Sequence, residues 1–163
     1  MTNTTQKNKT ETATLAAGCF WHVEEAFREI KGVLSTTVGY TGGNTKNPNY
    51  EQVCSRETGH AEAVEIIFDP AIVSYKKILE IFWSMHDPTQ VDRQGPDFGT
   101  QYRSAIFYHT DLQRKEALVS KETAQKSISK PIATQIVPAT LFYKAEDYHQ
   151  QYLHKRGRKT CGV

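Results

Sequence analysis

The chain has 163 residues, 20 Lys and Arg against 18 Asp and Glu, and a formal net charge of +2 without a long block of either sign. That length suits one domain able to bury its own core, and the balanced charge leaves no electrostatic footprint for nucleic acid. No apolar window approaches the roughly 20 residues of a bilayer span, and the polar start lacks the apolar core of a secretory leader, so the reading is cytoplasmic and off the membrane.

Residues 1–11 read as a disordered N-terminal tail. Thr12 to Ala17 is a short β-segment running into Gly18-Cys19-Phe20-Trp21, after which Val23, Ala26, Phe27 and Ile30 fall at helical spacing until Gly32. Cys19 therefore stands at or next to a helix N-terminus. Val33 to Tyr40 is a β-branched strand closed by Thr41-Gly42-Gly43, and Tyr50 to His60 reads as loop. Ala63 to Phe68 is a strand broken by Asp69-Pro70. A second helix, Tyr75 to Met85, sets Ile78, Ile81, Phe82 and Met85 on one face.

His86 to Tyr102 shows no periodicity, yet carries Asp92, Arg93, Gln94, Asp97, Gln101 and Tyr102; long polar loops of this kind are usually functional or disordered. Ser104 to His109 is a strand, Asp111 to about Ser127 a polar helix, Thr134 to Tyr143 a strand interrupted at Pro138, and Glu146 to His154 a last short helix. This order predicts an α+β fold, a two-layer sandwich in which helices cover a mixed sheet. Strand order cannot be read from it. The domain boundaries follow: a tail over 1–11, a catalytic domain over 12–154, and a flexible C-terminal tail over 155–163.

Three widely spaced cysteines, Cys19, Cys54 and Cys161, are not the framework of a disulfide-rich secreted domain. In a reducing compartment such residues more often serve chemistry, or simply pack as small hydrophobes. The setting of Cys19 favours chemistry: a helix N-terminus lowers a cysteine pKa by placing unsatisfied N–H groups beside the sulfur. Phe20 and Trp21 set two large aromatics next to it, as core anchors or as pocket walls. Further on, Gly59-His60-Ala61-Glu62 enters an apolar strand. A carboxyl held against apolar neighbours can remain protonated near neutral pH, as a general acid must, whereas an ordinary solvated Glu would not.

Gly18-Cys19-Phe20-Trp21, Val53-Cys54-Ser55 with Thr58-Gly59-His60-Ala61-Glu62, His86-Asp87-Pro88-Thr89 through Arg93-Gln94-Gly95 and Asp97, and Gly99-Thr100-Gln101-Tyr102-Arg103-Ser104 together resemble an A-type peptide methionine sulfoxide reductase. The resemblance covers about residues 12 to 153. It implies a ferredoxin-like core and reduction of the S epimer of methionine sulfoxide, free or in peptides and oxidised proteins. By position, Cys19 resembles the nucleophile, Glu62 the acid, and Tyr50, Asp97 and Tyr102 the groups around the sulfoxide oxygen. Phe20 and Trp21 resemble the walls for the substrate methyl group. Cys161 resembles the resolving cysteine, with thioredoxin as reductant, a monomeric enzyme, and no cofactor or metal required.

Three departures stand out. His22 and Arg56 replace residues that are usually Gly in the family, and the chain ends soon after Cys161-Gly162. Cys54 is expected to be buried and inert. Two other readings of Cys19 stay open from the residues alone: a hydrolase with His60 or His86 as base, and a redox-sensing domain in which Cys19 and Cys161 form a switch. A zinc site on Cys19 and His22 lacks a second ligand pair at standard spacing.

Overall fold

The computed structural model describes residues 9–160. In chain order the regular elements are β1 (Glu11–Ala17), α1 (Phe20–Arg28), β2 (Val33–Thr41), α2 (Tyr50–Cys54), β3 (Ala61–Phe68), α3 (Tyr75–Ser84), β4 (Arg93–Gln94), β5 (Asp97–Phe98), β6 (Ser104–Tyr108), α4 (Asp111–Gln125), β7 (Gln135–Pro138), β8 (Tyr143–Lys144) and α5 (Tyr152–Lys155). Single 3-10 turns lie at Thr100–Tyr102 and Asp147–His149.

Six strands form one sheet in the order β7-β6-β1-β3-β2-β8. Its middle four, β6-β1-β3-β2, are all antiparallel neighbours, and α1 and α3 are the crossovers of a split β-α-β arrangement, the ferredoxin-like core. The expected α+β architecture is what the chain adopts. Both helices are amphipathic for the predicted reason: α1 buries Phe20, Val23 and Phe27, and α3 buries Tyr75, Ile78, Leu79 and Phe82, against Leu15, Val64, Ile66 and Ile106 of the sheet. Ser74 caps α3 by accepting Lys77 N–H, and Thr110 caps α4 by accepting Gln113 N–H.

Four details differ from the sequence reading. Tyr50 to His60 is not all loop, because Asn49 and Gln52 exchange side-chain to backbone bonds in a capping box and start α2. Residues 86–102 hold the β4–β5 hairpin and a 3-10 turn. The single strand expected over Thr134 to Tyr143 is two strands on opposite edges: β7 adds parallel to β6, the chain then crosses over, and β8 adds antiparallel to β2. The last predicted helix is a 3-10 turn and α5, separated by Gln151 in the left-handed region at φ 52°.

The strand register places the candidate residues together. Leu15 pairs with Val64, Ala17 with Ser104, and Tyr40 with Glu62. The ends of β1 and β2 and the starts of β3 and β6 therefore meet at one end of the sheet. Cys19 follows the end of β1 by one residue, Glu62 is the second residue of β3, and residues 100–103 directly precede β6.

Candidate active site

Cys19 is the N-cap residue of α1, with its carbonyl accepting the N–H groups of His22 and Val23 at 3.2 and 3.3 Å. The turn that delivers it needs Gly18, whose φ is +93° and whose Cβ, were one added, would lie 2.7 Å from Gln94 Cβ. Gln94 is itself fixed, accepting Asp87 N–H and donating to Asp87 C=O. Gln94, from a stretch that is aperiodic in sequence, thus backs the thiol turn. Cys19 is half-buried.

Glu62 is 1 % exposed, and its Oε1 accepts the N–H of Phe20 at 3.2 Å. The strand-start carboxyl and the first helical amide after Cys19 are therefore directly joined. Tyr50 and Tyr102 complete the polar side. Burial, the largest cause, raises both phenols above their ordinary value, and for Tyr50 the hydrogen bond with Cys54 adds to it. Both hydroxyls are held in their protonated, donating form. Burial also raises the carboxyl of Asp97, in β5.

Cys54 is not buried as expected. It is half-buried at the end of α2, and burial raises its pKa even though the hydrogen bond between its thiol and Tyr50 opposes this. Arg56, two residues on, adopts a left-handed φ of 68° and donates to the Phe98 carbonyl at 2.9 Å, tying the end of α2 to the hairpin that carries Asp97. Cys161 lies outside the described residues.

The aromatic side of the site contains residues that the sequence did not single out. Tyr152 stacks on Trp21 at 3.7 Å and 5°, and Arg156 lies 3.6 Å from the Tyr152 ring centre. Glu146 accepts both the Tyr40 hydroxyl at 3.0 Å and the Tyr50 backbone N–H at 3.1 Å, which fixes the start of α2. His149 accepts the Trp21 indole N–H at 2.9 Å. The 3-10 turn before Gln151 is the element that carries Glu146 and His149 to these partners.

The histidines named as hydrolytic bases are occupied elsewhere. His60 is buried, accepts Gly43 N–H at Nδ1 and lies 2.7 Å from Thr45 C=O at Nε2. His86 donates from Nδ1 to Phe82 C=O and faces Ser104 Oγ at 2.8 Å through Nε2, and burial pushes it down to about 4. Neither offers a free nitrogen to a thiol. No helix among the described residues is long and apolar enough to cross a membrane.

A ferredoxin-like domain that joins a helix-capping cysteine to a buried carboxyl, protonated phenols and an aromatic wall is the class of a thiol oxidoreductase rather than of a cysteine hydrolase. The family model described as peptide methionine sulfoxide reductase matches residues 11–163. A relative from Methanosarcina mazei, described as peptide methionine sulfoxide reductase MsrA, is 64 % identical over 149 residues, which are 90 % of this chain and 71 % of that protein. The structure is similar to reduced Mxr1 from Saccharomyces cerevisiae, with a TM-score of 0.89 and 36 % identity over 97 % of this chain and 90 % of that one. Mxr1 in complex with Trx2 also matches, with a TM-score of 0.66 and 28 % identity over 90 % and 87 %. This chain belongs to the peptide methionine sulfoxide reductase family, and it is an oxidoreductase acting on methionine sulfoxide.

Proposed function

We propose that the Cys19 thiolate attacks the sulfur of S-methionine sulfoxide, free or in oxidised proteins and peptides, while Glu62 delivers a proton to the sulfoxide oxygen. The observation that carries this reading is the bond between Glu62 Oε1 and the Phe20 N–H. A thiolate and a carboxylate at one helix end are like charges, so holding a single proton between the two groups is favoured over ionising both. The Tyr50 and Tyr102 phenols, kept protonated by burial, polarise the S–O bond, and Asp97 completes the polar rim. Phe20 and Trp21 take the substrate methyl group.

Attack forms a bond from Cys19 Sγ to the substrate sulfur; the protonated oxygen then migrates to Cys19 Sγ, breaking the substrate S–O bond and that S–S bond, so that the Cys19 sulfur loses two electrons and the methionine sulfur gains them. The products are a thioether, a Cys19 sulfenic acid and ionised Glu62. Attack by the Cys161 thiol on the sulfenic acid forms a Cys19–Cys161 disulfide and releases water, and a thioredoxin dithiol then reduces that disulfide. The Mxr1–Trx2 complex supports thioredoxin as the class of reductant. Chemistry that depends on recycled thiols suits the cytoplasm. The catalytic domain is taken as 12–154, with residues 155–163 as the segment that brings Cys161 to the site.

The test is single turnover with each epimer separately. The S form should yield one equivalent of methionine per enzyme, and the R form should persist.

A further inference from the structure

We propose that His149 is a positioning residue that sets the Trp21 indole, and through it the apolar wall of the substrate pocket, by accepting the indole N–H on Nδ1. This rests on the assignment of Phe20 and Trp21 to the methyl pocket. The His149 side chain is fully buried, and Nδ1 lies 2.9 Å from Trp21 Nε1. An indole nitrogen can only donate, so Nδ1 must be the unprotonated nitrogen and the ring proton must sit on Nε2.

That Nε2 has no hydrogen-bond partner among the described residues. A buried donor left unpaired is costly, and a phenylalanine of similar size would avoid the cost. Among the described residues, the hydrogen bond that the ring makes is the one it accepts from Trp21 at Nδ1. Its surroundings agree: the ring is packed among Phe20 at 5.1 Å, Tyr50 at 4.6 Å and Tyr148 at 4.0 Å between ring centres. One imidazole thus touches both proposed walls of the methyl pocket and one proposed phenol donor. Burial also favours its neutral form, the only form with a lone pair to offer; the Glu146 carboxylate opposes this, and Tyr50 and Tyr148 are the other titratable side chains against the ring. Tyr152 covers one indole face, so ring stacking fixes the plane and His149 fixes the direction within that plane.

The experiment compares parent, His149→Phe and His149→Asn, the last keeping an acceptor near the position of Nδ1. His149→Phe should raise KM for a peptide methionine sulfoxide by about tenfold, the scale of one lost buried hydrogen bond, while the single-turnover rate at saturation stays within about threefold. His149→Asn should recover most of that KM. Nitrogen NMR of the parent should show His149 Nδ1 unprotonated and coupled to the Trp21 indole N–H. An unchanged KM in His149→Phe, or an equal rise in both variants, overturns the inference. So does a protonated Nδ1 in the parent, a measurement that decides the matter even where His149→Phe fails to fold. Failure of the parent to reduce the sulfoxide at all would instead remove the reaction assigned above, and leave the NMR result to speak for His149.

Discussion

Glu62 and Phe20 are joined by a 3.2 Å bond between a side-chain carboxyl oxygen and a backbone N–H, across 42 residues of sequence. The amide belongs to the residue after Cys19, so the bond sets the acid against the thiol turn and not merely in the same cleft. Glu62→Gln should keep that acceptor and lose the transferable proton. The expected loss in single-turnover sulfenic acid formation is about 10²-fold or more, with KM within about threefold. A rate within about threefold of the parent would shift the polarisation to the two phenols.

Tyr50 and Tyr102 are held protonated by burial. Raised phenols remain donors above pH 10, so the alkaline limb of kcat/KM should not report their ionisation. Tyr50→Phe and Tyr102→Phe should each lower the rate by about 10²-fold, the order expected for losing one donor to the reacting oxygen, and leave the position of that limb where it was. A limb that moves in either variant would show that the phenol itself titrates.

Cys54 shares a hydrogen bond with Tyr50, and its raised pKa makes it a poor nucleophile near neutral pH. Cys54→Ser should therefore leave thioredoxin-supported turnover nearly intact. Cys161→Ser should release one equivalent of methionine at normal speed, accumulate a dimedone-trappable Cys19 sulfenic acid, and stall with thioredoxin. Dithiothreitol, small enough to reduce the sulfenic acid itself, should restore some cycling. A dominant Cys19–Cys54 bridge on peptide mapping would reverse the two roles.

His86 carries a stability prediction that involves no chemistry. Its folded pKa of about 4 lies below the ordinary 6.5 because burial penalises the charged ring. The unfolded chain therefore binds more protons between those values, and stability falls as pH drops from 6.5 toward 4. The contribution at pH 4 is on the order of 3 kcal/mol. Urea midpoints across this window should be flatter in His86→Gln than in the parent; parallel slopes would mean that another group titrates.

Of the residues that touch the reacting atoms in this account, Cys19 was legible from a local pattern, a strand running into Gly18 and a helix, and Glu62 as an acidic residue at the head of the apolar strand β3 that could be an acid or a solvated Glu; Tyr50, Asp97 and Tyr102 were assigned only by the family resemblance. The supports of the aromatic wall were not. His149 and Trp21 are 128 positions apart, and Glu146 and Tyr50 are 96 apart. Nothing in a 3-10 turn with one polar residue after another distinguishes it from a surface helix until the fold brings its partners to it. The five-residue helix α2 is too short to show a period, though the Asn49 to Gln52 spacing of its capping box was there to be read. The division of residues 134–143 between two sheet edges depends on which strands were left unpaired at β6 and β2, a long-range property that no local pattern encodes.

The central claim is that the oxygen of the sulfoxide moves to Cys19. Reduced enzyme carrying Cys161→Ser, mixed without reductant with one equivalent of peptide S-methionine sulfoxide labelled with heavy oxygen, tests it by intact mass and peptide mapping. The account predicts one equivalent of methionine and a single heavy oxygen on Cys19, absent from Cys19→Ser. Methionine formed with the label in water and Cys19 unmodified, or label recovered on Cys54, would contradict it.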